Sequence, residues 1–130
     1  TIGYASPPIV RMTNTYIAQG HTSFEDMIAD IPLGVYACGM QGGQTAMEMF
    51  TFSASHGFMI RNGRIAEPVR DVVLTGNVFE TLINIEAIGD SVEWPCTGGG
   101  CGKGGQGPLP CGFGGPHVRI RNVVVGGRQG

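Results

Sequence analysis

Four cysteines, Cys38, Cys96, Cys101 and Cys111, and three histidines, His21, His56 and His117, are the side chains of this 130-residue chain best suited to bind a metal or supply a nucleophile. Cys101 and Cys111 lie inside GGGCGKGGQGPLPCGFGG, residues 98–115, and Cys96 lies just before it. A structural zinc site built from Cys96, Cys101 and Cys111 would have only His117 as a fourth ligand. Its spacings of four and nine intervening residues are not the tight pairs such sites use. As single residues the histidines read as surface or hydrogen-bonded groups, and Cys38, Cys96 and Cys111 as structural thiols.

A phosphate cradle is the other chemistry that glycines can serve. Gly102-Lys103 resembles the end of a phosphate-binding loop, where backbone N–H groups and a lysine hold the anion. The position five residues before Gly102 is Thr97 rather than Gly, and Gly104 follows Lys103 where Ser or Thr is needed. The formal GxGxxG at residues 100–105 leads toward Pro108 and not into a helix, so it carries no dinucleotide fingerprint. A flexible linker is disfavoured too, because Leu109 and Phe113 are apolar anchors and a hydrophobic run follows. The stretch reads as a shaped loop that packs and holds Cys101 in a confined place.

The elements around it follow from patterning. Ile9–Ile17 follows Pro7-Pro8 and reads as an extended segment entering a strand. Thr22 and Glu25 form a capping box for a helix at 23–30, stopped by Pro32. The runs LGVYACGM and TAMEMFTFSAS flank QGGQ, which places a hairpin turn at Gly42, Gly43 and Gln44. Met40, Met47, Met49, Phe50 and Phe52 read as core filling. Asn62-Gly63 between FMIR and RIAEPV is the strongest hairpin signal, because both turn positions want positive φ. A strand at 72–75 precedes a helix at 78–88, capped by Asn77 and ended by Gly89. The last element is a strand in HVRIRNVVVGG. Together these predict one α+β domain over residues 1–130, a mainly antiparallel, barrel-like sheet with two short helices and a long glycine-rich loop.

Composition bounds the function. Hydrophobic residues at 42% and charged residues at 14% are globular proportions. A net charge of −2 with no Lys/Arg run argues against direct contact with nucleic acid. No apolar run approaches the ~20 residues of a membrane span. The absence of an export signal predicts a cytoplasmic setting with free thiols.

MTNTYIAQGHTSFEDMI, GMQGGQT, FMIRNGRIAEPVRDVVLTGN and GGGCGKGGQGPLPCGFGGPHVRIRNVVVGG, taken in order, resemble the C-terminal part of the TldD/PmbA family. Its members are understood as zinc metallopeptidases and have long been labelled modulators of DNA gyrase. The resemblance covers nearly the whole chain, and the cysteine of Cys101-Gly102-Lys103 places it nearer the TldD type. It implies a helix of the form His-Glu-x-x-x-His that supplies two zinc ligands and a general base, with Cys101 as the third protein ligand. No such helix is encoded in these residues, since none of the three histidines is followed by Glu. The expectation is therefore a C-terminal fragment of a zinc peptidase of extended or unfolded peptides, inactive alone, holding Zn²⁺ only in the intact protein. The expected partner is a PmbA-type or identical subunit. Peptide could lie as an added strand beside Gly42, Gly43 and Gln44. The alternative is a noncatalytic PmbA-type peptide-binding or structural subunit.

Overall fold

The computed structural model describes residues 1–129, and the side chains of all of these but 95–99, 128 and 129. Its centre is a meander. β1 (Leu33–Cys38) and β2 (Gly42–Ala46) run out, β3 (Met49–Ser53) and β4 (His56–Arg61) run back, and β5 (Arg64–Asn77) runs out again. The pairs Met49↔Asn77 to Ser53↔Val73 continue through the bond from Ala54 N to Val72 O into Gly57↔Val69. β3 and β4 are thus two halves of one long strand against β5. β1 and β2 pair in turn with the other edge of those halves.

Asn62-Gly63 forms the turn between β4 and β5, with φ of 49° and 74°. The turn between β2 and β3 is Met47-Glu48, because Ala46 pairs with Met49. Gly42, Gly43 and Gln44, expected in that turn, are instead strand residues of β2. Gly39, with φ of 65°, makes the bend between β1 and β2, and this bend drew the glycines into the ladder.

The short helix α1 (Phe24–Ile28) is capped by Ser23, whose Oγ accepts from Asp26 N at 3.1 Å. Thr22, the expected cap, is occupied elsewhere: its N–H donates to Ile88 O and its carbonyl accepts from Asp90 N, forming a parallel bridge with Gly89. Asn77 caps α2 (Val78–Ile83) as expected, its Oδ1 accepting from Phe79 N and Glu80 N. That helix ends at Ile83 and does not reach 88. Asn84 closes it, and Ile85, Ala87 and Ile88 pair with Ile120, Arg119 and Val118. Six residues of helix are marginal by themselves, so strand pairing of β-branched side chains prevails over helical periodicity.

The glycine-rich stretch is a ribbon and not a loop. β6 (Ile85–Lys103) and β7 (Gln106–Ile120) form a long bulged hairpin that turns at Gly104-Gly105, with φ of 58° and 71°. The expected terminal strand is broken at Asn122, with φ of 59°, and resumes as β8 (Val124–Gln129) on the free edge of β5. Ile9–Ile17 enters no ladder; it runs without strand partners and bends at Asn14, where Thr15 N donates to Thr13 O at 3.0 Å. The domain is α+β, mainly antiparallel and with two short helices, but its sheets stay open and do not close into a barrel. The buried cluster of Ala54, Val69 and Val72, with Val35, Ala37, Phe52 and Met59 against it, lies within the meander.

Candidate functional site

Cys101 sits near the tip of the β6–β7 ribbon, paired with Leu109 across from it. It is half-buried. A hydrogen bond from the Met12 main chain and the Arg11 guanidinium hold its thiol below the ordinary range, with the charge of Lys103 adding to them and burial opposing. Arg11 Nη2 also donates to the Cys101 carbonyl, while Arg11 Nε and Nη1 are buried without a hydrogen-bond partner among the described residues. The site therefore favours a thiolate that presents one soft ligand or nucleophile.

The other thiols differ. Burial pushes Cys38 up, and its Sγ faces the Tyr36 carbonyl at 3.9 Å. Cys111 is buried at 5% exposure and stands opposite Gly99. The Cys96 side chain lies outside the described residues. Cys38, Cys101 and Cys111 are all free. No three His, Cys, Asp or Glu side chains converge to a metal-binding cluster among the described residues. His117 is engaged in packing: its Nε2 lies 2.8 Å from Tyr36 Oη, and its ring meets Phe24 at a tilt of 51° with centroids 5.0 Å apart. His56 Nδ1 lies 2.9 Å from Ser55 Oγ, a pairing that suggests a nucleophilic dyad. The Ser55 hydroxyl, however, donates to the Cys38 carbonyl at 2.8 Å, so its proton is not available to His56.

Gly42, Gly43 and Gln44 lie in β2, which pairs only with β3 among the described residues and leaves its outer edge free. With Phe50, Thr51 and Thr75 they line an open hollow of about 650 Å³ on the meander. A free edge beside a hollow can receive an extended chain through main-chain hydrogen bonds. The sequence reading singled out these residues and Cys101, but missed Arg11, which reaches the ribbon tip from 90 residues away, and Gln106, which reaches from the tip to Pro7, 99 residues away. Their one visible signal was a charged and an amide residue amid apolar and glycine-rich neighbours.

Residues 1–127 match the family model described as the PmbA/TldA metallopeptidase C-terminal domain. A metalloprotease of Synechocystis is 57% identical over 126 residues, which are 97% of this chain and 27% of that protein. A zinc metalloprotease TldD homolog of Saccharolobus solfataricus is 34% identical over 95% of this chain and 28% of its own length. The chain thus spans about a quarter of the curated relatives it matches. Among solved structures, TldE of Thermococcus kodakarensis superposes with a TM-score of 0.59 at 23% identity, over 85% of this chain and 23% of its own. A candidate modulator of a DNA gyrase from Thermotoga maritima superposes with the same TM-score at 21% identity, over 87% of this chain and 24% of its own. These two likenesses concern the fold.

Proposed function

Because the chain belongs to the PmbA/TldA metallopeptidase family, as its C-terminal domain, we propose that it forms the cysteine-bearing part of a zinc peptidase acting on extended or unfolded peptides. Cys101 is the zinc ligand in this reading. The observation that carries it is the half-buried thiol at the ribbon tip, whose ionised form is favoured by Met12 and Arg11. The donor set fits one ligand and no more, since no further ligands converge on it among the described residues. The remaining ligands and the general base would come from a His-Glu-x-x-x-His helix elsewhere in the protein, so these residues alone would be inactive and bind zinc poorly. Bound there, zinc would lower the pKa of a water and polarise the scissile carbonyl.

The free edge of β2 and the hollow beside Gly42, Gly43 and Gln44 support binding of substrate as an added strand. That mode reads backbone more than side chains, which suits unfolded peptides. Exposed Phe79, Leu82 and Ile83 on α2, at 63%, 54% and 82%, suit contact with further protein, either the rest of the polypeptide or a PmbA-type or identical subunit. Free thiols suit a reducing, cytoplasmic setting.

The test is Cys101→Ser in the natural gene product that carries this domain, read as zinc content and peptide cleavage. Both should be lost. Retained zinc would remove Cys101 from the ligand set, and a wild-type protein with neither zinc nor cleavage would favour the noncatalytic PmbA-type reading.

A further inference from the structure

Residues 2–16 have no ladder partner, yet they run along the β6–β7 ribbon and are tied to it by side chains. Gln106, the first residue of β7 after the Gly104-Gly105 turn, is 6% exposed and the one buried polar side chain among the described residues. Both ends of its amide are used: Nε2 donates to Pro7 O at 2.7 Å, and Oε1 accepts from Ile2 N at 3.3 Å. The next ties move from the tip toward the base of the ribbon. Ile9 lies against the turn, where a Cβ on Gly104 would come within 3.3 Å of its Cδ1. Arg11 donates to the Cys101 carbonyl, Asn14 Oδ1 accepts from Gly112 N at 2.7 Å, and the Tyr16 ring meets Trp94 edge-on at 4.9 Å.

A two-stranded ribbon holds its tip weakly, because neither strand has a second neighbour to fix its twist. Here the third neighbour is the segment 2–16. A buried amide that loses its partners pays the full cost of desolvation, so the Gln106 contact is either closed or open and has no half-made state. Arg11 adds the functional clue. It spends one donor on the main chain of the residue that carries the chemistry and leaves Nε and Nη1 buried and unpartnered among the described residues. That arrangement lowers stability, and such departures are retained where a site needs them.

We infer that residues 2–16 form a strap that sets the position of Cys101, with Gln106 as its buried latch and Arg11 as the positioning residue. The inference rests on the reading of Cys101 as a metal ligand only for what the positioning achieves; the strap itself is independent of it.

Two measurements on the natural gene product test this. The first is amide hydrogen exchange in metal-free protein. Gln106→Met keeps the side-chain volume but removes both bonds, and should raise exchange over residues 2–16 and 99–108 by roughly tenfold while residues 49–77 stay protected. If that variant does not fold, Asn14→Ala, which removes only the acceptor for Gly112 N, should loosen residues 2–16 and raise exchange at the Gly112 amide. The second is the thiolate-to-metal charge-transfer band after loading with cobalt(II). Arg11→Met should weaken or shift the band at equal cobalt occupancy, and Arg11→Lys, which keeps a donor for the Cys101 carbonyl, should restore most of it. Unchanged exchange in the latch variants overturns the strap. A band identical in Arg11→Met and wild type, or a lysine no better than methionine, overturns the positioning role. A wild-type protein that binds cobalt without any such band removes Cys101 from the ligand set instead, and the exchange comparison then decides the strap by itself.

Discussion

The two glycines that flank Cys101 make a matched pair. An alanine Cβ at Gly100 would lie 2.4 Å from Pro108 Cβ and 3.3 Å from the Leu109 carbonyl oxygen. Carbon atoms in ordinary contact sit at about 3.5–4.0 Å, so the arms of the ribbon would have to part by roughly 1 Å or more. The obstacle is a proline ring, with no flexible far end to swing aside. Overpacking of this kind costs about 1–3 kcal/mol. At Gly102 the same Cβ meets nothing within 4 Å, and φ lies outside the left-handed region. Alanine there should be neutral, or stabilising by about 0.4–1 kcal/mol through the unfolded chain. Gly100→Ala and Gly102→Ala should therefore differ by about 1–4 kcal/mol, roughly fivefold to several hundredfold in the folding equilibrium. Urea unfolding followed by circular dichroism reads the difference as a shift of midpoint at constant slope. If Gly102→Ala proves as damaging as Gly100→Ala, the close approach of the arms at Pro108 is not what the glycine serves, and the framing of Cys101 by the ribbon is wrong.

Three further outcomes follow from the same geometry. At neutral pH, site-resolved alkylation by iodoacetamide should modify Cys101 faster than Cys38, since Met12 and Arg11 lower the first thiol while burial raises the second; the reverse order would contradict that reading. Asp30 and Glu67 are held below the ordinary carboxylate range by hydrogen bonds from Arg119 and Arg61. Their folded pKa values lie below the unfolded ones, so this stabilisation is complete above the unfolded values near ~4 and fades as pH falls through the folded values. Urea midpoints should accordingly drop between pH 5 and pH 2.5, and less so in Arg119→Gln; a flat profile would refute the pairing. Gly63→Ala should destabilise by more than about 2 kcal/mol, because φ is 74° and its Cβ would sit 2.3 Å from the Ala29 carbonyl oxygen; thermal melting that matches wild type would rule this out.

What could be read from sequence was local. Asn62-Gly63 declared its turn because the two residues themselves prefer positive φ, and no distant partner needs to be known. Asn77 likewise caps the helix that starts beside it. Misreadings arose where tertiary pairing overrules local preference. Gly42-Gly43 has the composition of a turn, but the pairing of Ala46 with Met49 puts the turn at Met47, a residue with no turn preference held at φ 56°. The glycines of 98–115 hid a ribbon, because residues without side chains show no alternation for a period-two pattern to reveal. Cys101 was singled out through its motif alone, and its role as a metal ligand is a proposal. Arg11, Gln106 and the His117 contact with Tyr36 were not, since each gains its meaning from a residue 81 to 99 positions away.

The placement of the thiol relative to the free edge of β2 depends on polar contacts more than on a shared core. The buried cluster of Ala54, Val69 and Val72 belongs to the meander, and among the described residues the ribbon contributes nothing to it. What joins ribbon to meander is the wedge of α1, whose Met27 and Ile28 are buried, together with a few directed bonds. Arg119 on β7 donates to the Met27 carbonyl of α1 at 3.1 Å and pairs with Asp30 just beyond that helix, and Tyr36 on β1 meets His117 on β7. Directed bonds fix orientation where apolar burial would allow sliding. The proposed site, with its ligand on the ribbon and its peptide edge on the meander, would require that orientation, and arginine, histidine and tyrosine at the joint would supply it.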